Sequence, residues 1–280
     1  MVLTREIDLI IESAGLNIRD TGSGYVLGAK QDPNALFAAA PLRILALYSI
    51  AAMLGAEVSI NVLDAANANA HGISKLAPEK VFAAVDGILL SQHPETLAPL
   101  IASGGLEAFG IKEIRGCLSA LNDVPARQVT RWWALAHICK AKCNTICKTL
   151  NTPPTLTTGL TVYEKLWHTA PPKATRDLKL LLAPLPRFDF GAAADTFAVF
   201  DSRWQGGGAL YAQLEASGEP YRMKQLAVTA PELLQIGIPR RKIAGVMPKL
   251  LTAVCKAPTV NTYPALCALA KTLTRSSLCL

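Results

Sequence analysis

Residues 226 to 251, LAVTAPELLQIGIPRRKIAGVMPKLL, mark their own element boundaries. Thr229 and Glu232 have the spacing of a capping box, in which a hydroxyl and a carboxylate each satisfy a free amide at a helix start. Pro231 falls in the first turn, where its missing N–H would have had no helical partner anyway. Gly237 stands where a chain leaving a helix needs positive φ, a conformation that side chains with a Cβ resist. After Pro239, the residues Ile243, Val246, Met247, Leu250, Leu251 and Val254 recur at the 3.6-residue period of a half-buried helix. The segment therefore predicts a helix, a tight turn and a second helix opened by Arg240, Arg241 and Lys242. Cationic side chains and free backbone amides converge at that second start, which suits phosphate. The plainer reading of the same residues is a helical hairpin with a solvated basic corner.

The distribution of charge weighs on that choice. The formal charge is +7, but it is not spread evenly. Residues 1 to 130 hold 9 Lys and Arg against 13 Asp and Glu, and residues 180 to 221 hold 2 against 5. Residues 131 to 179 hold 8 against 2, and residues 222 to 280 hold 9 against 1. Two basic blocks are what a polyanion-binding surface requires, because each neutralised phosphate releases counterions. Nucleic acid is thus the leading partner class.

Over half the residues, 51 %, are hydrophobic and 18 % are charged, which predicts a well-packed globule rather than a disordered chain. The most apolar run, residues 36 to 55, is interrupted by Pro41 and Arg43, so no membrane span is expected. The opening MVLTREIDLIIE carries Glu6, Asp8 and Glu12, unlike a secretory signal or an Arg-rich transit peptide. Cysteines at 117, 139, 143, 147, 255, 267 and 279 form an odd set, which predicts reduced thiols and a reducing intracellular compartment, the cytoplasm or an organelle matrix. Cys139, Cys143 and Cys147 recur every four residues after His137 and would form a stripe on one helix. Structural zinc normally draws ligands from two elements, so no metal site is assigned. No cofactor motif is present either: GSGYVLGAK from Gly22 reads as a hairpin turn, and Gly206-Gly207-Gly208 as a flexible helix start without the Lys-Ser/Thr of a phosphate loop. His71, His93, His137 and His168 match no catalytic pattern, and Trp132-Trp133 reads as core rather than as a base-stacking platform.

The fold class expected is all-α, a multi-helix array with a short β-hairpin near the N-terminus. That hairpin would pair residues 7 to 11 with 24 to 27 across the turn-rich Asp20–Gly24. Helices are expected at 41–54, 59–70, 78–91, 94–103, 111–121, 126–139, 141–150, 158–168, 173–183, 191–200, 206–217, 230–236, 240–256 and 261–274. Pro or Gly breaks at 151–157, 169–172 and 217–220 are the candidate hinges. Four segments result: 1–40, 41–150, 151–220 and the basic tail, 221–280.

Two stretches carry a family resemblance. Residues 41 to 111 contain Pro41-Leu42-Arg43-Ile44-Leu45, Leu54-Gly55, Ala77-Pro78-Glu79-Lys80 and Gly104-Gly105-Leu106. In that order they resemble the neck and body of bacterial-type CCA-adding tRNA nucleotidyltransferases and poly(A) polymerases. Gly237-Ile238-Pro239, Ile243, Gly245, Leu250-Leu251 and Asn261-Thr262 are similar to the tail of the same family. The resemblance implies a tRNA-handling scaffold. The family's head carries a phosphate loop and a DxD pair that holds two metal ions for nucleotidyl transfer. No DxD occurs in these 280 residues, and Ala39 and Ala40 stand where the neck has Glu-Asp. Ala46 replaces the neck's second arginine, and the nucleotide-template arginine and aspartate have only Thr4-Arg5-Glu6 as a counterpart. Arg43 and Glu79 remain as vestiges of the nucleotide site.

Catalysis by this chain alone is therefore not expected. The reading is a non-catalytic protein that holds structured RNA, tRNA or rRNA, by phosphate and shape contacts. Lys224, Arg240, Arg241, Lys242 and Lys249 would supply the tail contacts, and Arg131, Lys140, Lys142 and Lys148 a second strip. Neither DNA nor a membrane is an expected partner. The alternatives are a structural subunit of a ribonucleoprotein such as an organellar ribosome, with protein partners there, the body and tail of a split CCA-adding enzyme, or a helical protein–protein scaffold.

Overall fold

A computed structural model of the chain describes residues 5 to 276, which divide into two compact units, one reaching to Thr169 and the other starting at Ala170. The first unit runs α1 (Arg5–Ser13), β1 (Leu16–Asp20), β2 (Tyr25–Ala29), α2 (Pro33–Ala39), α3 (Leu42–Leu54), β3 (Glu57–Val58), α4 (Ile60–Asn69), α5 (Pro78–Leu90), α6 (Ala98–Ala102), α7 (Gln128–Ile138), α8 (Cys143–Thr149) and α9 (Pro154–Trp167). The second runs α10 (Thr175–Leu182), α11 (Phe190–Phe200), α12 (Gly207–Ser217), α13 (Ala230–Gln235), α14 (Arg240–Lys256) and α15 (Tyr263–Ser276). The protein is mostly helical, with one small three-stranded sheet.

The hairpin forms, but one element later than expected. Residues 7 to 11 lie in α1, whose helix gives way at Gly15, at φ +74. The first strand is Leu16–Asp20, paired antiparallel with Tyr25–Ala29 in a register that sets Leu16 opposite Ala29 and Asp20 opposite Tyr25. The Asp20 carboxylate accepts the Gly22 amide at 2.7 Å, and Thr21 and Gly24 close the turn. Glu57–Val58 adds to β2 in parallel. Leu16 and Leu27 are fully buried beneath the sheet.

In the first unit α3 is the centre. Apolar residues cover it on all sides, and Ile44, Leu45, Leu47, Tyr48, Ile50, Ala51 and Ala52 are all buried, the pattern of a helix surrounded by others. It packs on α5, which packs on α7, which packs on α9, while α2 packs on α4. The tight approach ends at Gly55, φ +61, where Ala56 N–H reaches back to Ala51 O. Trp132 and Trp133 lie in this core, and the Trp132 indole donates to Asp86 at 2.7 Å, which satisfies its one polar atom.

Three local expectations fail for identifiable reasons. Residues 111 to 117 are irregular and only Leu118–Asp123 coils, as a 3-10 turn, because Arg115 N–H bonds to Ile138 O at the end of α7 instead of to its own segment. A helix absent from the expectation, α2, is set by Asp32, whose carboxylate accepts the Ala35 amide, and by Pro33 in the first turn. Cys139, Cys143 and Cys147 do not share a helix, since α7 ends before Cys139 and α8 begins at Cys143. The Cys143 thiol faces the Glu164 carboxylate at 3.3 Å, and among the described residues no three His, Cys, Asp or Glu converge as metal ligands.

In the second unit Phe190, Phe197 and Trp204 are buried against one another, with α12 packed on α11 and α10. α14 packs on α10, α13 and α15. Among the described residues no single helix is long and apolar enough to cross a membrane. The apolar stretch 33–54 is broken into α2 and α3, bent by 115°.

Candidate nucleic-acid interface

The tail forms as its punctuation requires. Glu232 accepts from both the amide and the hydroxyl of Thr229, each at 2.7 Å, and Pro231 sits in the first turn of α13. Gly237, at φ +90, closes that helix: Gly237 N–H bonds to Leu234 O and Ile238 N–H to Leu233 O, so two terminal carbonyls are satisfied. α14 then starts at Arg240.

The two sides of α14 differ sharply. Ile243, Val246, Leu250, Leu251, Val254 and Cys255 are buried, and Arg240, Arg241, Ala244, Gly245, Pro248, Lys249, Thr252 and Lys256 are exposed. At 100° per residue, Arg241, Lys249 and Lys256 lie on one side over about 22 Å of helix, separated by small side chains. Pro248 is tolerated on this face because the carbonyl of Ala244, which loses its helical donor, is also on the exposed side. The one carboxylate among residues 222 to 280, Glu232, is engaged by its own capping box and is unavailable to neutralise these cations.

The expected tail contacts separate on this geometry. Arg240, Arg241, Lys249 and Lys224 are exposed. Lys242 is half-buried and donates to Thr274 O near the end of α15, where a cation also meets the negative end of a helix. Lys256 and, on α15, Lys271 and Arg275 are exposed cations that the sequence reading left out. The signal for Lys256 was visible in the helical period, which places it on the same side of α14 as Arg241.

The body strip needs one correction. Arg131 is 5 % exposed, with Nε donating to Val124 O at 2.9 Å and Nη1 to Leu89 O at 3.1 Å. Its guanidinium fastens the end of α5 to the turn before α7, and because it is buried and committed to these two carbonyls it is not presented to a ligand; burial also holds its pKa below the usual arginine value. The 3.6-residue spacing that places Arg131 in α7 does not say which face it occupies. Lys179, counted in the same basic block, is also buried, paired with Glu219 at 2.5 Å.

Lys140, Lys142 and Lys148 are exposed. Lys140 sits at φ +51, in the position after a helix where glycine is favoured. Lys140 N–H bonds to His137 O and Ala141 N–H to Ala136 O, the same closure that Gly237 makes for α13. A lysine there costs about 1–2 kcal/mol relative to an unstrained residue. Lys140, Lys142, Lys112 and Arg115 line one concavity of about 280 Å³. Lys112 and Arg115 were not expected, because only the anchoring of 111–117 to α7 brings them beside the α7–α8 corner.

Of the vestigial pair, Arg43 is half-exposed in the first turn of α3. Glu79 opens α5 and accepts from the Asn151 amide at 2.7 Å, which holds its carboxyl below the usual range. Asn151, at φ +50, follows α8 in the left-handed position that asparagine tolerates.

No protein-family model matches the chain, and no curated protein matches it in sequence. Among solved structures it is similar to the CCA-adding enzyme of Bacillus stearothermophilus in complex with CTP, with a TM-score of 0.70 and 16 % identity, covering 91 % of this chain and 67 % of that one. The chain thus shares its fold with that enzyme over most of its length. At this identity the likeness extends to the fold and no further.

Proposed function

We propose that this chain is a non-catalytic RNA-binding protein on a CCA-adding-enzyme scaffold, holding structured RNA through phosphate and shape contacts. The observation that carries the reading is the exposed side of α14, where Arg241, Lys249 and Lys256 align and make no ion pair among the described residues. A face read by shape and backbone suits the A-form groove, whose base edges are poorly accessible to side chains. The fold adds direction, because the similar solved protein is named for adding CCA and was solved with CTP. The non-catalytic part rests on sequence: nowhere in the 280 residues does an Asp-x-Asp pair offer the carboxylates that two-metal nucleotidyl transfer requires.

The test is paired. Purified protein titrated with tRNA in increasing salt should show affinity that falls steeply with ionic strength. Incubation with tRNA lacking its 3′ end, CTP, ATP and magnesium should give no nucleotide incorporation. Absence of salt-sensitive binding removes the RNA reading, and incorporation by the pure protein removes the non-catalytic one.

A further inference from the structure

The α7–α8 corner collects more positive charge than a single backbone phosphate calls for. Lys112, Arg115, Lys140 and Lys142 line the same concavity of about 280 Å³, with Glu113 as the one carboxylate in its wall. Glu113 is engaged by Arg115, whose Nε donates to it at 2.5 Å, and Lys112 lies 4.0 Å from Glu107 with both side chains exposed. Lys140 and Lys142 make no ion pair among the described residues. Four cations held around one small cavity repel each other, and an anion seated among them removes that repulsion.

The backbone adds an independent observation. Among the described residues, six α-helices are followed by a left-handed residue whose N–H takes part in the closing hydrogen bonds: Gly15 after α1, Gly55 after α3, Gly104 after α6, Lys140 after α7, Gly218 after α12 and Gly237 after α13. Five of them use glycine, and the strained lysine is the one that lines the cationic cavity.

We propose that this concavity binds a terminal phosphate monoester of an RNA, with Lys140 and Lys142 as its main contacts and Arg115 and Lys112 completing the charge. A monoester carries about −1.5 to −2 at neutral pH and three acceptor oxygens, which matches a lining of four cations and one acid better than the single charge of an in-chain diester. The assignment rests on the RNA reading above for the source of the phosphate, and on the cavity alone for its chemistry.

The experiment therefore has two arms. In the first, the full chain is titrated with inorganic pyrophosphate at constant ionic strength and followed by thermal shift, with Lys140→Asn, Lys140→Gly and Lys142→Ala alongside. Asparagine and glycine both accept the left-handed backbone, so these variants remove the ammonium without adding strain. The proposal expects Lys140→Gly to melt at or above the wild-type temperature without ligand, and all three variants to lose most of the pyrophosphate response. In the second arm, one hairpin RNA is compared with and without a 5′ phosphate. Wild type should prefer the phosphorylated hairpin about tenfold, as one charge-assisted contact allows, and Lys140→Asn should reduce the ratio to near one. A pyrophosphate response unchanged in all three variants overturns the pocket. A response that depends on the lysines, with equal affinity for the two hairpins, overturns the terminal-phosphate assignment and leaves RNA binding standing. A lysine-dependent response with no RNA binding supports the pocket while removing the reading of function.

Discussion

Replacing Arg241, Lys249 and Lys256 together by alanine tests the tail face with a magnitude fixed in advance. All three are exposed on α14 and make no hydrogen bond or ion pair among the described residues, and alanine is a strong helix former, so the variant should fold with an unchanged melting temperature. If each cation neutralises one phosphate, the slope of log affinity against log salt becomes less steep by about 0.9 per contact, about 2.7 in all. Between roughly 50 and 200 mM salt, a fourfold change, the wild type should therefore lose about 40-fold more affinity than the variant. Fluorescence anisotropy with labelled tRNA at four or five salt concentrations reads both slopes. A variant whose slope equals that of wild type refutes the reasoning, because its cations would then release no counterions. Weaker binding with an unchanged slope would equally place the contacts elsewhere.

Arg131→Met should lower stability by about 2–4 kcal/mol, because the carbonyls of Leu89 and Val124 lose their donor, and should leave the RNA affinity of the folded fraction unchanged. Urea unfolding and anisotropy separate the two effects, and a loss of affinity without destabilisation would restore Arg131 to the binding strip. Glu219→Gln should destabilise the second unit by about 1–3 kcal/mol, since Lys179 stays buried while its partner loses its charge. Lys179→Met should be near neutral, and the reverse order by chemical denaturation contradicts the pairing. His137, stacked on Trp133 and Trp167, has its pKa lowered to about 4 by burial and by nearby Lys140. The unfolded state therefore takes up the proton first, and stability is fully present above about 6.5 and falls as pH drops from there to about 4. Allowing for the half-buried ring, the loss should be about 1–2 kcal/mol. His137→Phe should flatten that window in a series of pH-dependent melts, and an unaltered profile would place the titration elsewhere.

The helical array was legible wherever capping chemistry and period agreed. The start of α5 at Pro78, the capping box of α13 and the full length of α14 follow from residues that admit few other local structures. What escaped were features set by contacts distant in sequence. Residues 111 to 117 take their conformation from a bond to Ile138 O, and β3 exists because Leu27 and Val58 meet across thirty residues of intervening chain. The cysteine stripe failed because the left-handed turn at Lys140 separates α7 from α8, a break that the expected helices at 126–139 and 141–150 already imply. The candidate site divides the same way. Arg240, Arg241 and Lys249 were visible from period and charge, whereas the burial of Arg131 depends on α5, and the place of Lys112 in the cationic cavity depends on how its loop is anchored.

The most direct measurement of the central claim is ultraviolet crosslinking of the intact protein to bound RNA, followed by mass spectrometry of the attached peptides. The account predicts adducts concentrated in peptides from Arg240 to Lys256 and, second, around Lys140 to Lys148. Adducts confined to other surfaces, or none from a complex that forms at low salt, would contradict it.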